Sequence, residues 1–137
     1  MTAADRYRLL IADDEPSMRE TLRDVFEPYF ETVVAESGEA AIQVVQHEPV
    51  HLALFDLNMH ELSGLDTIRI VKAKLEIVPC ILMTANWCDD LVAEAEAVQA
   101  FCVLRKPIPR RSLLGTMATA IEHTYRDAEL RRRLLAG

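Results

Sequence analysis

Five short apolar runs, separated by amphipathic stretches, constrain the fold of this chain more than any other feature. The runs occupy residues 7–12, 32–35, 50–55, 80–83 and 100–104. Each has a length typical of a buried strand, and the stretches between them carry apolar residues at helical spacing. This alternation predicts an α/β protein with a parallel sheet that is covered by helices on both faces.

The amphipathic stretches complete the predicted topology. Helices are expected over about 16–26, 37–47, 65–75, 89–99 and 110–135, with Ser37 as an N-cap. Right-handed crossovers leave few arrangements of five parallel strands, and the flavodoxin-like order 2-1-3-4-5 is a common one. The predicted fold is therefore a flavodoxin-like, doubly wound, five-stranded parallel sheet of order 2-1-3-4-5 with an extended C-terminal helix.

Acidic side chains follow two of the predicted strands. Asp13 and Asp14 come directly after the first strand, and Asp56 comes after the third. In the predicted order these strands are neighbours, and ligands bind at the carboxyl ends of such strands. Three carboxylates in a small space repel one another unless they take protons or a cation neutralises them. Mg²⁺ is the natural candidate, because it prefers oxygen ligands.

The fourth and fifth strands are followed by Thr84 and Lys106, whose hydroxyl and ammonium groups would complement a phosphoryl group. Each acidic or basic residue has a simpler interpretation when it is taken singly. An aspartate after a strand is often a helix cap, and a loop lysine often balances an acidic surface. Because all of these residues fall at one edge of the predicted sheet, we interpret them together as a site for a cation and a phosphoryl group.

Four segments make up this combined pattern: Asp13-Asp14, Asp56-Leu57-Asn58-Met59 with Gly64 following, Thr84-Ala85, and Lys106-Pro107. The combination resembles the receiver domain of bacterial two-component response regulators. The resemblance covers about residues 7–125, which is most of the chain. It implies a phosphorylation-dependent switch, with only self-directed phosphotransfer and autodephosphorylation, rather than an enzyme that turns over a metabolite.

The resemblance also implies a metal site. Asp14, Asp56 and the backbone carbonyl of Asn58 would hold Mg²⁺, while Asp13 would act on the metal mostly through water. Asp56 would be the nucleophile that takes a phosphoryl group from a phosphohistidine. The donor would be a sensor histidine kinase or a histidine phosphotransfer protein.

Asp56, Thr84 and Lys106 form the catalytic set that the resemblance implies. Lys106 would pair with a phosphoryl oxygen, and Thr84 would donate a hydrogen bond to the phosphoryl group once it is attached. The peptide bond between Lys106 and Pro107 would be cis, as is tolerated before proline.

Several positions depart from the family pattern. Val103 stands where relatives usually carry Tyr or Phe. Phe101, the nearest aromatic residue, has the same strand parity as Val103. Its side chain is expected either to face a similar side of the sheet or to lie in the core. His60 stands where Pro is common, and is expected either to be solvated or to contact the phosphoryl group. In the family that this chain resembles, the positions of Asn58 and Asn86 shape the access of water to the acyl phosphate, which here would form on Asp56.

Residues 1–125 are predicted to form the receiver domain, and residues 126–137 a C-terminal extension of the last helix. A weak heptad-like spacing runs through Leu114, Met117, Ile121, Thr124, Ala128 and Leu135. The extension is interpreted as a helix end packed on the sheet, a linker to an output domain, or a segment for homodimerisation. The downstream partner is accordingly an output domain or a separate protein.

Composition and charge argue against several other classes of protein. Residues 1–104 carry seven basic and nineteen acidic side chains, whereas residues 105–137 carry eight basic and three acidic ones. The acidic body argues against direct binding of nucleic acid. No apolar stretch approaches the roughly 18 residues of a membrane span, and the first residues lack a signal-peptide layout, so a cytoplasmic protein is expected. The three cysteines form no CxxC pair and predict neither a disulfide nor a zinc site.

Two other functions are weighed against this interpretation. Phosphatases with an aspartyl nucleophile also use a strand-end aspartate, but they normally carry a second acid two residues on, where this chain has Asn58. A pseudo-receiver would only bind a partner, and the complete set of acids argues against it.

Overall fold

The computed structural model describes residues 6–137, so the first five residues, which the signal-peptide interpretation concerns, lie outside the described range. Five parallel strands form one sheet in the order β2-β1-β3-β4-β5. The strands are β1 (Arg8–Ala12), β2 (Glu31–Ala35), β3 (Leu52–Asp56), β4 (Cys80–Thr84) and β5 (Cys102–Arg105). The predicted fold class and strand order are confirmed.

Both faces of the sheet are buried, which explains why the strands are continuous apolar runs in the sequence. In β1, Leu9 and Ile11 pack on one face, while Leu10 and Ala12 pack on the other. All four side chains are fully buried. Because each strand supplies residues to both layers, an alternating polar pattern would place polar groups in one of the two cores.

The helices begin close to the predicted residues; side chains cap some of them, whereas the first, fourth and fifth have no side-chain cap hydrogen bond. They are α1 (Pro16–Phe26), α2 (Gly38–His47), α3 (Gly64–Lys74), α4 (Asp89–Ala97), α5 (Arg110–Tyr125) and α6 (Ala128–Ala136). The Ser37 hydroxyl accepts a hydrogen bond from the Ala40 N–H at 3.0 Å, and Ser63 caps α3 in the same way. Between residues 6 and 137, no helix has both the length and the apolar character needed to cross a bilayer.

Two layers of helices flank the sheet. One core contains side chains of α1, α5 and α6, and the other contains side chains of α2, α3 and α4. The arrangement leaves the carboxyl ends of β1, β3, β4 and β5 at one edge of the sheet, where the candidate site lies.

The prediction of one continuous final helix is wrong. α5 ends at Tyr125, Arg126 adopts the left-handed conformation with φ 57°, and Asp127 caps a separate helix, α6. Leu130 and Leu134 of α6 are buried in the core that α1 and α5 share. The helix breaks because folding back buries these two leucines against the chain's own core, and a straight helix would leave them in water.

The heptad-like spacing has the same explanation. Leu114, Met117 and Ile121 are buried in the core beside α6, so this stripe faces the interior of the domain. Leu135, the last member of the spacing, is 54% exposed. In this conformation the spacing therefore marks packing within the chain rather than an exposed seam.

Candidate functional site

Three aspartates converge at the carboxyl edge of the sheet. Asp13 and Asp14 follow β1, Asp56 ends β3, and these strands pair so that Ala12 lies opposite Phe55. Each aspartate offers a carboxylate oxygen, and these oxygens lie within 4.8 Å of one another. The prediction that the three residues meet depended on the strand order, which places β1 and β3 side by side.

Lys106 joins two of these carboxylates. Its Nζ atom lies 2.7 Å from Asp56 Oδ1 and 3.3 Å from Asp13 Oδ2. The backbone N–H of Lys106 donates to the Thr84 carbonyl, which holds the lysine at the end of β5. Asp13 is fixed further by the Glu15 N–H, which donates to its Oδ1 at 2.9 Å. The site is thus assembled from the ends of β1, β3, β4 and β5.

The aspartates differ in their exposure to water. Asp13 is 1% exposed and Asp56 is 6% exposed, whereas the Asp14 side chain is 30% exposed. Asp13 and Asp56 therefore lie at the bottom of the site, and Asp14 lies at its rim.

Burial and crowding alter the protonation of the site. Burial raises the pKa of the Asp56 carboxyl above its ordinary value; the Lys106 hydrogen bond opposes this, and the charge of Asp13 adds to it. Burial would lower the pKa of Lys106, but the Asp56 hydrogen bond and the Asp13 charge raise it overall. The surroundings of Asp56 thus destabilise its ionised form, and an added positive charge would stabilise that form.

The donor set fits a hard divalent cation. Three carboxylates face one ammonium group in this cluster, and oxygen ligands of this kind suit Mg²⁺. Asn58 lies two residues after Asp56 in the exposed loop between β3 and α3.

Thr84 is fully buried at the end of β4. Its hydroxyl oxygen accepts a hydrogen bond from the Asn86 N–H at 3.0 Å, so the side chain is tied to the loop that follows β4. Any movement of this hydroxyl toward the aspartates would therefore alter the loop that contains Asn86 and Trp87. Trp87 is 42% exposed in that loop.

Gly64 lies very close to the backbone of Asp56. The sequence identified this glycine as part of the pattern but gave it no physical role. A Cβ atom at this position would lie 2.5 Å from the Asp56 carbonyl oxygen and 2.7 Å from a Leu82 methyl group. The Gly64 N–H also donates to the Leu57 carbonyl at 2.9 Å. Only glycine allows α3 to begin this close to the end of β3. The signal in the sequence was a glycine eight positions after a strand-end aspartate.

The positions that depart from the family pattern lie in different surroundings. Val103 is partly buried against the core of α2, α3 and α4, whereas Phe101 packs with the opposite core, 5.9 Å from the His123 ring. Of the two alternatives for Phe101, packing against a core is confirmed. A side shared with Val103 is wrong, because β5 begins at Cys102 and strand parity does not extend to residue 101. His60 is 91% exposed, with Nε2 3.8 Å from Asp14 Oδ2. The Lys106–Pro107 bond is cis, as expected.

Comparison with known proteins identifies the family. A family model described as "Response regulator receiver domain" matches residues 9–118. The chain therefore belongs to the family of response regulator receiver domains, which act in two-component signalling.

Curated relatives carry the same type of domain as part of longer chains. Transcriptional regulatory protein ZraR of Escherichia coli (strain K12) is 30% identical over 127 residues, which make up 91% of this chain and 29% of ZraR. Response regulator protein PilR of Pseudomonas aeruginosa is 30% identical over 125 residues, 90% of this chain and 28% of PilR. The chain spans less than a third of the length of these relatives.

Solved structures agree with the fold. A CheY-like response regulator receiver domain protein from Methanospirillum hungatei JF-1 has a TM-score of 0.86 at 18% identity, covering 90% of this chain and 99% of that one. The signal receiver domain of a putative Luxo repressor protein from Vibrio parahaemolyticus has a TM-score of 0.83 at 22% identity, covering 96% and 98%. At these identities the similarity supports the fold alone.

Proposed function

We propose that Asp56 is the phosphoacceptor of this receiver domain, and that a sensor histidine kinase or a histidine phosphotransfer protein supplies the phosphoryl group. The observation that carries the proposal is the position of the Asp56 carboxylate. It lies within 4.8 Å of two further aspartates and 2.7 Å from the Lys106 ammonium, at the edge of the sheet where ligands bind.

The transfer needs a nucleophile, a charge partner and little covalent help. A carboxylate oxygen of Asp56 attacks phosphorus, the P–N bond to the donor histidine breaks, and its electron pair leaves with the imidazole. The product is an acyl phosphate on Asp56. Lys106 holds the Asp56 carboxylate in place and pairs with a phosphoryl oxygen as negative charge accumulates.

Asp13, Asp14, Asp56 and the Asn58 carbonyl would hold Mg²⁺, which supplies charge neutralisation at the phosphoryl oxygens. Support for this assignment comes from the crowded carboxylates and from the raised pKa of Asp56, which burial causes. Asp13, which already contacts Lys106, orients the lysine toward the same oxygens.

Phosphorylation would change the loop after β4. The product adds about −1.5 to −2 charges beside existing acids and so needs a new hydrogen-bond donor. The Thr84 hydroxyl becomes that donor by turning toward the phosphoryl group, which removes its contact with the Asn86 N–H. The altered loop then presents a different surface to the next protein or domain.

The wider assignments follow from the family and from the names of the relatives. ZraR is named a transcriptional regulatory protein, and we extend this to an output domain or protein that regulates transcription. The receiver domain comprises residues 1–125, and residues 126–137, which include α6, pack against it. The domain works in the cytoplasm, without direct contact to nucleic acid or membrane, and acts as a switch rather than as an enzyme with an external substrate.

A labelling experiment tests the proposal. The chain is incubated with acetyl phosphate, with and without Mg²⁺, and the mass of the intact protein is measured. We expect one phosphoryl group per chain that requires Mg²⁺ and is released by hydroxylamine, as an acyl phosphate is.

The matched variants are Asp56→Asn and Asp24→Asn, since Asp24 is an exposed residue of α1. Asp56→Asn should show no labelling, and Asp24→Asn should be labelled like the parent. Labelling that persists in Asp56→Asn would overturn the assignment of Asp56. Multiple turnover of a phosphorylated metabolite would instead indicate a phosphatase.

A further inference from the structure

The junction between α5 and α6 is a strained hinge. Arg126 has φ 57° and ψ 31°, in the left-handed region that residues other than glycine seldom adopt. One further residue, Asp127, separates Arg126 from the first residue of α6. The two helices therefore reverse direction within two residues, and the strain at Arg126 is retained because surrounding contacts compensate for it.

A group of aromatic contacts, which we term the clasp, surrounds this hinge. The Tyr7 hydroxyl donates to Asp127 Oδ2 at 3.0 Å, and the Tyr125 hydroxyl donates to the His51 carbonyl at 2.7 Å. The rings of Tyr7 and Tyr125 stack with their centroids 5.0 Å apart. The clasp holds both sides of the hinge against the amino ends of β1 and β3.

Beyond the hinge, α6 is attached by two leucines and by a polar contact at its end. Leu130 and Leu134 are 2% and 0% exposed in the core shared with α1 and α5. At the far end, Arg110 donates to the Gly137 carbonyl at 2.7 Å. A cleft of about 380 Å³ opens there between the first turn of α5 and the last turn of α6. Two buried leucines, one polar contact at the end of α6 and the close approach of Gly137 to Tyr29 thus hold α6 against its own domain.

The sequence across the hinge is also compatible with a straight helix. Residues 116–136 contain neither glycine nor proline, so nothing in the local sequence requires the chain to turn at Arg126. If Arg126 takes ordinary helical angles, α5 and α6 become one helix and the strain disappears. Leu130 and Leu134 then move away from their own domain, and the groove that they occupied on α1 and α5 becomes empty.

We propose that this groove accepts α6 from a second copy of the chain, so that the domain forms a dimer by exchange of α6. In such a dimer each copy contributes a straight helix, and its Leu130 and Leu134 occupy the groove of the partner. The contacts of α6 are the same in both forms, and only the hinge and the clasp differ. Short hinges that are strained in the closed form favour this type of exchange. The proposal is independent of phosphoryl transfer at Asp56.

The balance between the two forms depends on two opposing features. The strain at Arg126 favours the exchanged dimer, whereas the hydrogen bond between Tyr7 and Asp127 favours the monomer. Changing either feature shifts the dimer equilibrium without altering a residue of the phosphoryl site. This separation allows the test to use variants that retain the proposed receiver function.

The test compares Arg126→Gly with Arg132→Ala. Both remove one arginine from the exposed surface, but only residue 126 has left-handed angles. Chromatography with light scattering, over about 5 to 500 μM protein, measures the association constant. We expect that of Arg126→Gly to be at least about tenfold lower than that of Arg132→Ala, because glycine removes the strain of both monomers and is unfavourable in a straight helix. Arg126→Ala should stay close to Arg132→Ala, since alanine and arginine carry the same left-handed cost and both favour a helix.

Hydrogen exchange identifies the structure of the dimer. In the hairpin, the amides of Asp127, Ala128 and Glu129 precede or open a helix and have no helical acceptor, whereas a straight helix provides one for each. These amides should be protected in the dimer and exposed in the monomer. Tyr7→Phe, which removes the hydroxyl that binds Asp127, should raise dimerisation, and adding Arg126→Gly to it should lower dimerisation again.

Equal association constants for Arg126→Ala, Arg126→Gly and Arg132→Ala would overturn the proposal. It would also be overturned by a Tyr7→Phe dimer in which residues 127–129 exchange as rapidly as in the monomer, because such a dimer would use another surface.

Discussion

The two edges of the sheet are built in opposite ways. At the carboxyl edge, three carboxylates crowd around the ammonium of Lys106, and burial raises the pKa of Asp56. At the amino edge, polar groups pair with one another: Tyr7 binds Asp127, Tyr125 binds the His51 carbonyl, and His51 Nδ1 accepts from the Arg8 N–H. One edge concentrates uncompensated charge, whereas the other pairs polar groups with one another, although Arg8 Nε has no hydrogen-bond partner among the described residues.

The residues proposed to carry function and the residues that stabilise the fold therefore lie in different parts of one small domain. The crowded carboxylates at the carboxyl edge, which the proposed function pairs with a cation and a phosphoryl group, reduce the stability of the free chain. The amino edge and α6, which fill no such role in phosphoryl transfer, can be packed closely and contribute stability. Removing a carboxylate at the carboxyl edge should therefore stabilise the free chain, whereas removing a buried apolar side chain from α6 should destabilise it.

The largest effect is expected in α6. Leu134→Ala should lower the free energy of unfolding by about 3 kcal/mol, because it leaves a cavity in the core shared with α1 and α5. Leu135→Ala, at the neighbouring exposed position, should change it by less than about 0.5 kcal/mol. Urea unfolding measures both values, and a similar small effect for both variants would mean that α6 is not part of the stable fold.

The next largest effect on stability is expected from removing the ammonium group of Lys106. Lys106→Met leaves Asp13 and Asp56 close together without their cation, which should lower stability by about 2 kcal/mol in the absence of Mg²⁺. Mg²⁺ should recover part of this loss, because it replaces the missing positive charge. Arg105→Met, at the adjacent exposed residue, provides the control and should show neither the loss nor the recovery. A loss that Mg²⁺ leaves unchanged would argue against a shared cation site.

Asp56→Asn should have the opposite sign. It removes a buried charge beside Asp13 and should raise the stability of the metal-free chain by about 1 kcal/mol, while Asp24→Asn should not.

The pH dependence of stability follows from the raised pKa of Asp56, which burial causes. The folded parent binds this proton more readily than the unfolded chain, so its stability falls as the pH rises from the ordinary aspartate range through the raised pKa. That component should be missing in Asp56→Asn, and identical pH profiles for the two proteins would contradict the prediction.

The smallest effect is expected at His51, where the pH dependence is reversed. Burial and the charge of Arg8 lower the pKa of His51, so the unfolded chain binds this proton more readily. Stability should therefore fall as the pH decreases from the ordinary histidine value of about 6.5 through the lowered pKa. His51→Asn keeps an acceptor for the Arg8 N–H and should lose this component, which thermal unfolding between neutral and mildly acidic pH can measure. His47→Asn, at an exposed residue of α2, should retain it.

The class of fold and most of the site were accessible from the sequence because both depend on local patterns. Strands buried on two faces must be apolar throughout, and alternation with helices limits the order of the strands. Once β1 and β3 are neighbours, Asp13, Asp14 and Asp56 must lie at one edge. The role of Gly64 was less accessible, because it depends on a 2.5 Å approach between two segments that only the folded chain shows.

The sequence alone determined the parallel sheet, its strand order and the identity of the charged residues at its edge, since these follow from periodicity and from strand ends. Tertiary structure alone decided the course of the last 12 residues. Their local sequence is compatible with a straight helix, and the turn at Arg126 is locally unfavourable. The turned conformation is stabilised by the burial of Leu130 and Leu134 and by the hydrogen bond from Tyr7 to Asp127. This hydrogen bond joins residues 120 positions apart in the chain. Contacts between residues so distant in sequence leave no local pattern from which they could be predicted.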